Sequence, residues 1–208
     1  MNNIEQVYQE SDTFDSFASG YFNYLKTVLD SIDKNSLNKL AQEFEDSREK
    51  GITLFVAGNG GSAATSTTMA NDIGFDIIKK VGTERPFRVF SLTDNTSVIT
   101  AIANDVGYEN IFINQLKIHY REGDSVLFIS ASGNSENIIR AAEWVKAKNG
   151  RIIGLLGFTG GALEDFCDVS VHVPTLAGEY GPVEDAHLII NHLLAHWFQL
   201  ELKKPSKF

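Results

Sequence analysis

The chain is short of cysteine, of positive charge and of long apolar runs. Cys167 is its single cysteine in 208 residues, which excludes an internal disulfide and a metal site built from cysteines alone. Its 18 Lys and Arg against 27 Asp and Glu give a formal net charge of −9. This balance argues against nucleic acid or an anionic membrane surface as a partner. No run is apolar enough to span a bilayer, and the first residues lack the pattern of a signal peptide. We expect a cytoplasmic protein.

The remaining composition is that of a globular domain, with 43% hydrophobic and 22% charged residues. From residue 52 onward, short apolar runs alternate with segments of helical periodicity, which predicts a parallel sheet covered on both faces. The predicted strands are Ile52–Ala57, Phe87–Leu92, Ser125–Ile129, Arg151–Leu156 and Val169–Val173. The predicted helices are Ser62–Lys79, Ser97–Ala103, Asn110–Tyr120, Ser135–Lys148, Ala162–Phe166 and Pro182–Leu202. The expected fold is α/β, a three-layer αβα sandwich with a five-stranded parallel sheet.

The first 50 residues form N-terminal helices in this prediction, within a single domain covering residues 1–208. Aromatic residues recur at helical spacing, including Phe14, Phe17, Tyr21 and Tyr24. Ser36 is the expected cap of a second helix. The aromatic stripe has two interpretations, packing on its own core or packing on a second subunit, which leads us to expect N-terminal oligomerisation helices.

Two turns carry the clearest chemical signal. Residues 58–62 read Gly-Asn-Gly-Gly-Ser after the first strand, and residues 130–135 read Ser-Ala-Ser-Gly-Asn-Ser after the third. Glycine lets the backbone approach a ligand, and N–H groups at a helix start attract anions. Neither turn matches a Walker loop or a dinucleotide fingerprint. The alternatives are a tight turn and a capping cluster, but three hydroxyls exceed what one cap needs. The two turns together predict a site for a phosphorylated ligand.

Four stretches, residues 58–64, 91–97, 103–105 and 129–135, resemble in sequence and in order the SIS (sugar isomerase) domain family. Within that family the chain is most similar to the phosphoheptose isomerases. The resemblance implies a homotetramer that acts on a phosphorylated sugar for cell-surface polysaccharide (lipopolysaccharide or capsule). It also implies these substrate-binding residues: Asn59, Gly60, Gly61, Ser62, Asp94, Asn104, Asp105, Ser130, Ala131, Ser132 and Ser135.

The chain departs from this family at the metal and proton-transfer positions. The family has His and Glu four residues apart after the Gly-rich turn, and Gln and His eight apart on the last helix. Those groups hold a divalent metal, and the Glu and His move protons. The matching residues here are Thr68, Asp72, Glu184 and His192. We therefore expect a weaker zinc site than the family's or none, with Asp72, Glu184 and His192 as candidate ligands for a harder divalent ion.

Spacing alone also supports a site at these positions. Thr68 and Asp72 lie one helical turn apart, and eight residues place Glu184 and His192 about 80° apart around a helix, so both can face one cleft. The alternative for His192 is a core histidine. His187 is expected in the core or at a subunit interface, and Pro182 stands where the family has an Arg that contributes to the sugar site.

The expected function is aldose–ketose isomerisation of sedoheptulose 7-phosphate to D-glycero-D-manno-heptose 7-phosphate through an enediol. Asp72 or Glu184 would remove the proton next to the carbonyl, and His192 would move the proton on oxygen. Two alternatives stay open. The chain is a non-catalytic phosphosugar-binding regulator or scaffold, or it isomerises a different phosphosugar.

Overall fold

A computed structural model describes residues 1–204 as nine α-helices and five β-strands. The strands are β1 (Thr53–Gly58), β2 (Arg88–Ser91), β3 (Ser125–Ser130), β4 (Arg151–Gly157) and β5 (Val169–Val173). The helices are α1 (Asn3–Gln9), α2 (Phe14–Ser31), α3 (Lys34–Lys50), α4 (Gly61–Met69), α5 (Ile77–Val81), α6 (Thr96–Asp105), α7 (Ile111–His119), α8 (Glu136–Ala147) and α9 (Tyr180–Glu201). A π-helical segment, Ala70–Asp76, joins α4 to α5.

The five strands form one parallel sheet in the order β2-β1-β3-β4-β5. The chain therefore moves outward in opposite directions from β1 and β3, and the carboxyl ends of these two strands flank the point where the strand order reverses. In the β1 and β3 pairing, Gly58 lies opposite Ile129. The two turns singled out in the sequence thus begin side by side at one edge of the sheet.

Side chains that alternate along each strand build a separate core on each face of the sheet. On one face, Leu54 and Val56 pack with α2, α3, α9 and the α4-to-α5 region. On the other face, Phe55 and Ala57 pack with α7 and α8. The three central strands, β1, β3 and β4, are almost entirely buried between these two cores. The predicted three-layer αβα arrangement is confirmed.

Three local predictions are wrong. The predicted helix Ser62–Lys79 is interrupted by the π-helical segment. The predicted helix Ala162–Phe166 is only a 3-10 turn, Glu164–Phe166, because the backbone is already extended at Cys167, shortly before β5 begins. The cap of α3 is Asp33, whose carboxylate accepts from the backbone N–H groups of residues 35 and 36, and not Ser36.

The aromatic stripe of α2 divides between the core and the surface. Tyr24 packs against the core, and the Tyr21 hydroxyl donates to Asp185 Oδ2 at 2.6 Å. Phe14 and Phe22 are 83% and 68% exposed. Packing on the chain's own core therefore explains only part of the stripe. Within residues 1–204, no helix has both the length and the hydropathy needed to cross a membrane.

Candidate functional site

The Gly-rich turn links the end of β1 to the start of α4. Gly60 has a φ of +55°, a conformation that favours glycine. Ser62 follows in the first turn of α4 and is buried. A Cβ at Gly58 would lie 2.7 Å from the Ser62 Cβ, so glycine is needed for the strand to turn this tightly. The unpaired N–H groups at the start of α4 point towards the carboxyl edge, as an anion site requires.

The serine-rich turn after β3 offers hydroxyl protons to the same edge. The backbone N–H of Gly133 donates to Ser130 Oγ at 3.0 Å, and that of Asn134 donates to Ser132 Oγ at 3.3 Å. Since both oxygens accept these bonds, their O–H groups remain available as donors. Ser135 is at the N-cap of α8, but its side chain makes no capping hydrogen bond. Among residues 1–204, none of these three hydroxyls donates a hydrogen bond to another group.

An amide pair connects the two turns. Asn59 Nδ2 donates to Asn137 Oδ1, and Asn137 Nδ2 donates back to Asn59 Oδ1, each at 2.9 Å. The Tyr108 hydroxyl donates to the same Asn59 oxygen at 2.9 Å. The predicted sugar ligand Asn59 is therefore held in one orientation. Sequence reasoning missed Asn137 and Tyr108, although Asn137 lies only two residues beyond the serine-rich turn.

The remaining predicted sugar contacts lie in two places. Asp94 follows β2 and accepts from the Thr67 hydroxyl at 2.6 Å, which ties it to α4. Asn104 and Asp105 end α6, where Asn104 Nδ2 donates to Asp105 Oδ1 at 2.7 Å. Within residues 1–204, no hydrogen bond joins these two side chains to the residues of the turns.

Glu184, in the first turns of α9, lies against the Gly-rich turn. A Cβ at Gly61 would overlap the Glu184 carboxylate, so the glycine makes room for that side chain. Partial burial, together with the charge of the neighbouring Asp185, raises the pKa of Glu184. A carboxyl group of this kind is suited to carry a proton at the substrate edge.

Asp72 and His192 come together further along the same pair of helices. Asp72 lies in the π-helical segment, and its Oδ2 is 3.6 Å from His192 Nε2. The side chains of Asp72 and His192 are 19% and 51% exposed. His192 is therefore not a core histidine, and the pair forms an accessible carboxylate–imidazole couple. π-helical segments are rare in proteins, and those that occur often lie at functional sites.

The structure separates Glu184 from this couple. Glu184 faces Gly61, whereas Asp72 and His192 meet about eight residues further along α9, or about 12 Å at 1.5 Å per residue. α4 and α9 thus run side by side in the same direction. The three predicted groups therefore do not meet at one point: Glu184 lies at the Gly-rich turn, and the Asp72/His192 couple lies further along α9.

The residues present do not fit the zinc site that the family resemblance implies. The Thr68 hydroxyl donates to the Ala64 carbonyl at 2.9 Å, inside its own helix. Asp72 Oδ2 already accepts from Asn191 Nδ2 at 2.8 Å. Among residues 1–204, no group of three or more His, Cys, Asp and Glu side chains is arranged to hold a metal ion. Zinc prefers nitrogen and sulfur ligands, and here one imidazole remains.

Two other titratable groups belong to the core. His187 is fully buried, and its Nε2 donates to the Leu156 carbonyl at 3.2 Å. Burial lowers the pKa of His187 to about 4, so the ring is neutral. The half-buried Cys167 thiol donates to the Leu163 carbonyl, and burial raises its pKa to about 12. Of the two interpretations of His187, the core is correct.

The fold and the site define a class of protein: a doubly wound α/β domain with a Gly-rich and a Ser-rich turn, both without Lys or Arg, at the carboxyl edge of a parallel sheet. A model of the SIS domain matches residues 20–157, and the chain belongs to the SIS domain family.

Within this family, the chain is similar to several proteins named phosphoheptose isomerase. The chain is 34% identical over 197 residues to phosphoheptose isomerase 2 of Campylobacter jejuni, covering 92% of this chain and 95% of that protein. It is 40% identical over 147 residues to the phosphoheptose isomerase of Aneurinibacillus thermoaerophilus, covering 70% and 71%. The structure of a phosphoheptose isomerase from Francisella tularensis matches with a TM-score of 0.78 and 25% identity, covering 90% of this chain and 99% of that one. The resemblance predicted from the sequence is confirmed.

Proposed function

We propose that this chain is a phosphoheptose isomerase that converts sedoheptulose 7-phosphate to D-glycero-D-manno-heptose 7-phosphate in the cytoplasm, for cell-surface polysaccharide. The observation that carries the proposal is the Asp72/His192 couple on the two helices that flank the anion-binding turns. A regulator that only binds phosphosugar has no need of a carboxylate and an imidazole at this position. The relatives named phosphoheptose isomerase support the same reaction.

The length of the site supports a long substrate. Ser62 and Asp72 are ten residues apart, which corresponds to about 15 Å along a helix. Sedoheptulose 7-phosphate carries its phosphate at one end of a seven-carbon chain and its carbonyl at the other. With the phosphate on Ser62, Ser130, Ser132, Ser135 and the Ala131 N–H, the reacting carbons extend towards Asp72. The proposed contacts to the sugar hydroxyls come from Asn59, Asp94, Asn104 and Asp105.

The proposed mechanism uses the chain's own proton-transfer groups. Asp72 removes the proton from the hydroxyl-bearing carbon next to the carbonyl, which forms the enediol, and returns a proton to the neighbouring carbon. His192 moves the proton between the two oxygens of the enediol. Glu184, whose pKa is raised at the Gly-rich turn, holds a proton for a hydroxyl of the bound sugar. No step in this mechanism uses a metal, because the residues of the site do not fit the zinc ion that the family resemblance implies.

We also propose a homotetramer in which residues 1–50 are oligomerisation helices. His192 is 51% exposed in the single chain, and proton transfer is favoured when a neighbouring subunit excludes bulk water. An apolar groove between α3 and α9 includes Leu193 and Trp197, which are 56% and 54% exposed. A second subunit on these faces would cover both the groove and the rim of the site.

The decisive experiment is turnover of sedoheptulose 7-phosphate by the pure protein, with a chelator and with added zinc, manganese or magnesium. We expect turnover, and a drop of about a hundredfold or more for Asp72→Asn and for His192→Ala, because each removes an acid–base group. Asp76→Asn is a matched control in the same segment, since Asp76 pairs with Lys80 at 3.2 Å.

Full activity in both variants would contradict the mechanism. Tight binding without turnover would favour the regulator, and turnover of a shorter phosphosugar alone would favour a different isomerase. Elemental analysis of the untreated protein is expected to find less than one zinc per chain. Stoichiometric zinc would show that the ligand argument is wrong.

A further inference from the structure

Asn191 is a buried amide that packing does not explain. Its side chain lies on α9 and is fully buried. Its Nδ2 donates to Asp72 Oδ2 at 2.8 Å, while its Oδ1 has no hydrogen-bond partner within residues 1–204. A buried acceptor without a partner lowers stability, and an apolar side chain of the same size would avoid that loss. The amide therefore has a role other than packing.

The bond made by Asn191 is directed at one oxygen of the proposed base. Asn191 and His192 are consecutive on α9 and approach the same atom, Asp72 Oδ2, at 2.8 Å and 3.6 Å. Successive helical residues point about 100° apart, so the two groups reach this oxygen from different directions. The other oxygen, Oδ1, accepts from Asn71 Nδ2 at 3.0 Å. The carboxylate is thus fixed on both sides, with its open side towards the imidazole.

The orientation of the amide matches an ionised carboxylate. An ionised carboxylate only accepts hydrogen bonds. Rotating the amide by half a turn would place Asn191 Oδ1 against Asp72 Oδ2, two acceptors in contact, and would leave the NH₂ group buried without a partner. The NH₂ group of Asn191 therefore has a hydrogen-bond partner only when it faces the Asp72 carboxylate.

The short side chain of Asp72 explains why the hydrogen bond from Asn191 is needed. Asp72 has one methylene fewer than the Glu that the family has at this position, and it lies in a π-helical segment that shifts the direction of side chains relative to an α-helix. A shorter carboxylate needs a fixed direction to meet its partner. Asn191 lies on the facing helix, where a donor can supply that direction.

We propose that Asn191 is a positioning residue that holds the Asp72 carboxylate in the orientation facing His192. The proposal rests on the proposed isomerase function, in which this couple moves the protons. Asn191 touches no substrate in this account and acts only through Asp72.

The test compares Asn191→Leu, which keeps the branched shape and the number of heavy atoms and removes the donor, with Leu194→Met, a volume-conserving change among neighbouring core residues. We expect kcat of Asn191→Leu to fall about tenfold to a hundredfold, the usual cost of misplacing a catalytic group. KM should stay within about twofold, because the phosphate turns are untouched. The double variant Asp72→Asn/Asn191→Leu should be no slower than Asp72→Asn alone. Independent, additive losses would overturn the proposal, as would wild-type kcat in Asn191→Leu.

A crystal structure of the Asn191→Leu protein gives a readout that does not require activity. We expect the Asp72 side chain to leave its position beside His192 while α9 stays in place. An unmoved Asp72 would overturn the proposal. Asn191→Ala serves the same comparison if the leucine variant does not fold. If the wild-type protein lacks isomerase activity, the proposed function fails, and the two crystal structures still decide whether Asn191 positions Asp72.

Discussion

Single serine hydroxyls carry the proposed phosphate site. Ser132→Ala and Ser62→Ala should each weaken phosphosugar binding by about 1.5–3 kcal/mol, as expected for a lost hydrogen bond to a charged group. The fold should be unchanged, because neither hydroxyl donates to another side chain within residues 1–204. Isothermal calorimetry with sedoheptulose 7-phosphate measures the change, and Ser19→Ala on the exposed side of α2 is the control. Unchanged affinity in both site variants would remove the basis of the phosphate assignment.

The buried imidazole of His187 makes stability depend on pH. Its pKa in the folded chain is about 4, below the ordinary 6.5, so the unfolded chain takes up the proton first as the pH falls. The contribution to stability is complete above pH 6.5 and decreases towards pH 4, by roughly 3 kcal/mol at 1.36 kcal/mol per pKa unit. Urea unfolding at a series of pH values gives the free energy of unfolding as a function of pH. Between pH 6.5 and pH 4 this free energy should fall less steeply for His187→Gln than for the wild type, whereas the exposed His119→Gln should match the wild type. The same pH dependence in His187→Gln and the wild type would contradict the assignment.

How far individual site residues are predictable depends on how local their signal is. The Gly-rich and serine-rich turns are short continuous segments, and so are the helices that carry Asp72 and His192. Their positions can therefore be predicted from the sequence. Asn191 and Tyr108 reach partners more than 45 positions away in the chain. Their roles follow only from how helices pack, which a single sequence does not specify.

At the scale of elements, the buried carboxylate of Glu179 connects α1 and α2 to the start of α9 through hydrogen bonds. Glu179 is 2% exposed. It accepts from the Asn3 N–H at 2.6 Å, the Tyr24 hydroxyl at 2.5 Å and the Leu176 N–H at 3.0 Å. Burial and this bond to Glu179 raise the pKa of Tyr24 to about 12, so the hydroxyl keeps its proton and remains a donor. α1, α2 and the start of α9 therefore meet at one side chain.

Tyr24→Phe should lower the free energy of unfolding by about 1.5–3 kcal/mol, because it leaves a buried charge short of one donor. Urea denaturation measures the loss. Tyr8→Phe is the matched control, since Tyr8 lies on α1 and is 71% exposed. Equal stability of the two variants would show that Glu179 does not depend on the Tyr24 hydroxyl.

The elements themselves were predictable to different degrees. All five strands begin and end within one residue of prediction, because apolar runs bounded by turn residues are a strong local pattern. The prediction of helices within residues 1–50 does not give the bounds of α1, since its seven residues include no buried side chain and hence show no apolar stripe. The π-helical segment was missed because the periodicity around Asp72 is also compatible with an α-helix, and packing against α9 decides between them.

At the scale of the whole molecule, we expect a tetramer. Exposed aromatic residues of α2 and the groove between α3 and α9 leave apolar surface that a monomer would present to water. Light scattering at micromolar concentration should give four times the 23.0 kDa chain mass. A chain with Trp197→Glu should form smaller species, whereas Phe90→Glu, at a site away from the groove, should not. A monomeric wild-type protein would contradict the prediction.

The proposed phosphate site has one further consequence, which concerns ionic strength. Neither residues 58–62 nor residues 130–135 include a Lys or Arg, and Arg140, which follows the second turn, is already paired with Glu136 and Glu109. Attraction between full charges is screened by salt, whereas short hydrogen bonds from hydroxyls and N–H groups act only on contact. A net charge of −9 also repels nucleotides, polyphosphates and other polyanions at a distance. We therefore expect the affinity for the phosphorylated substrate to change less with salt concentration than it would at a site built on Lys and Arg.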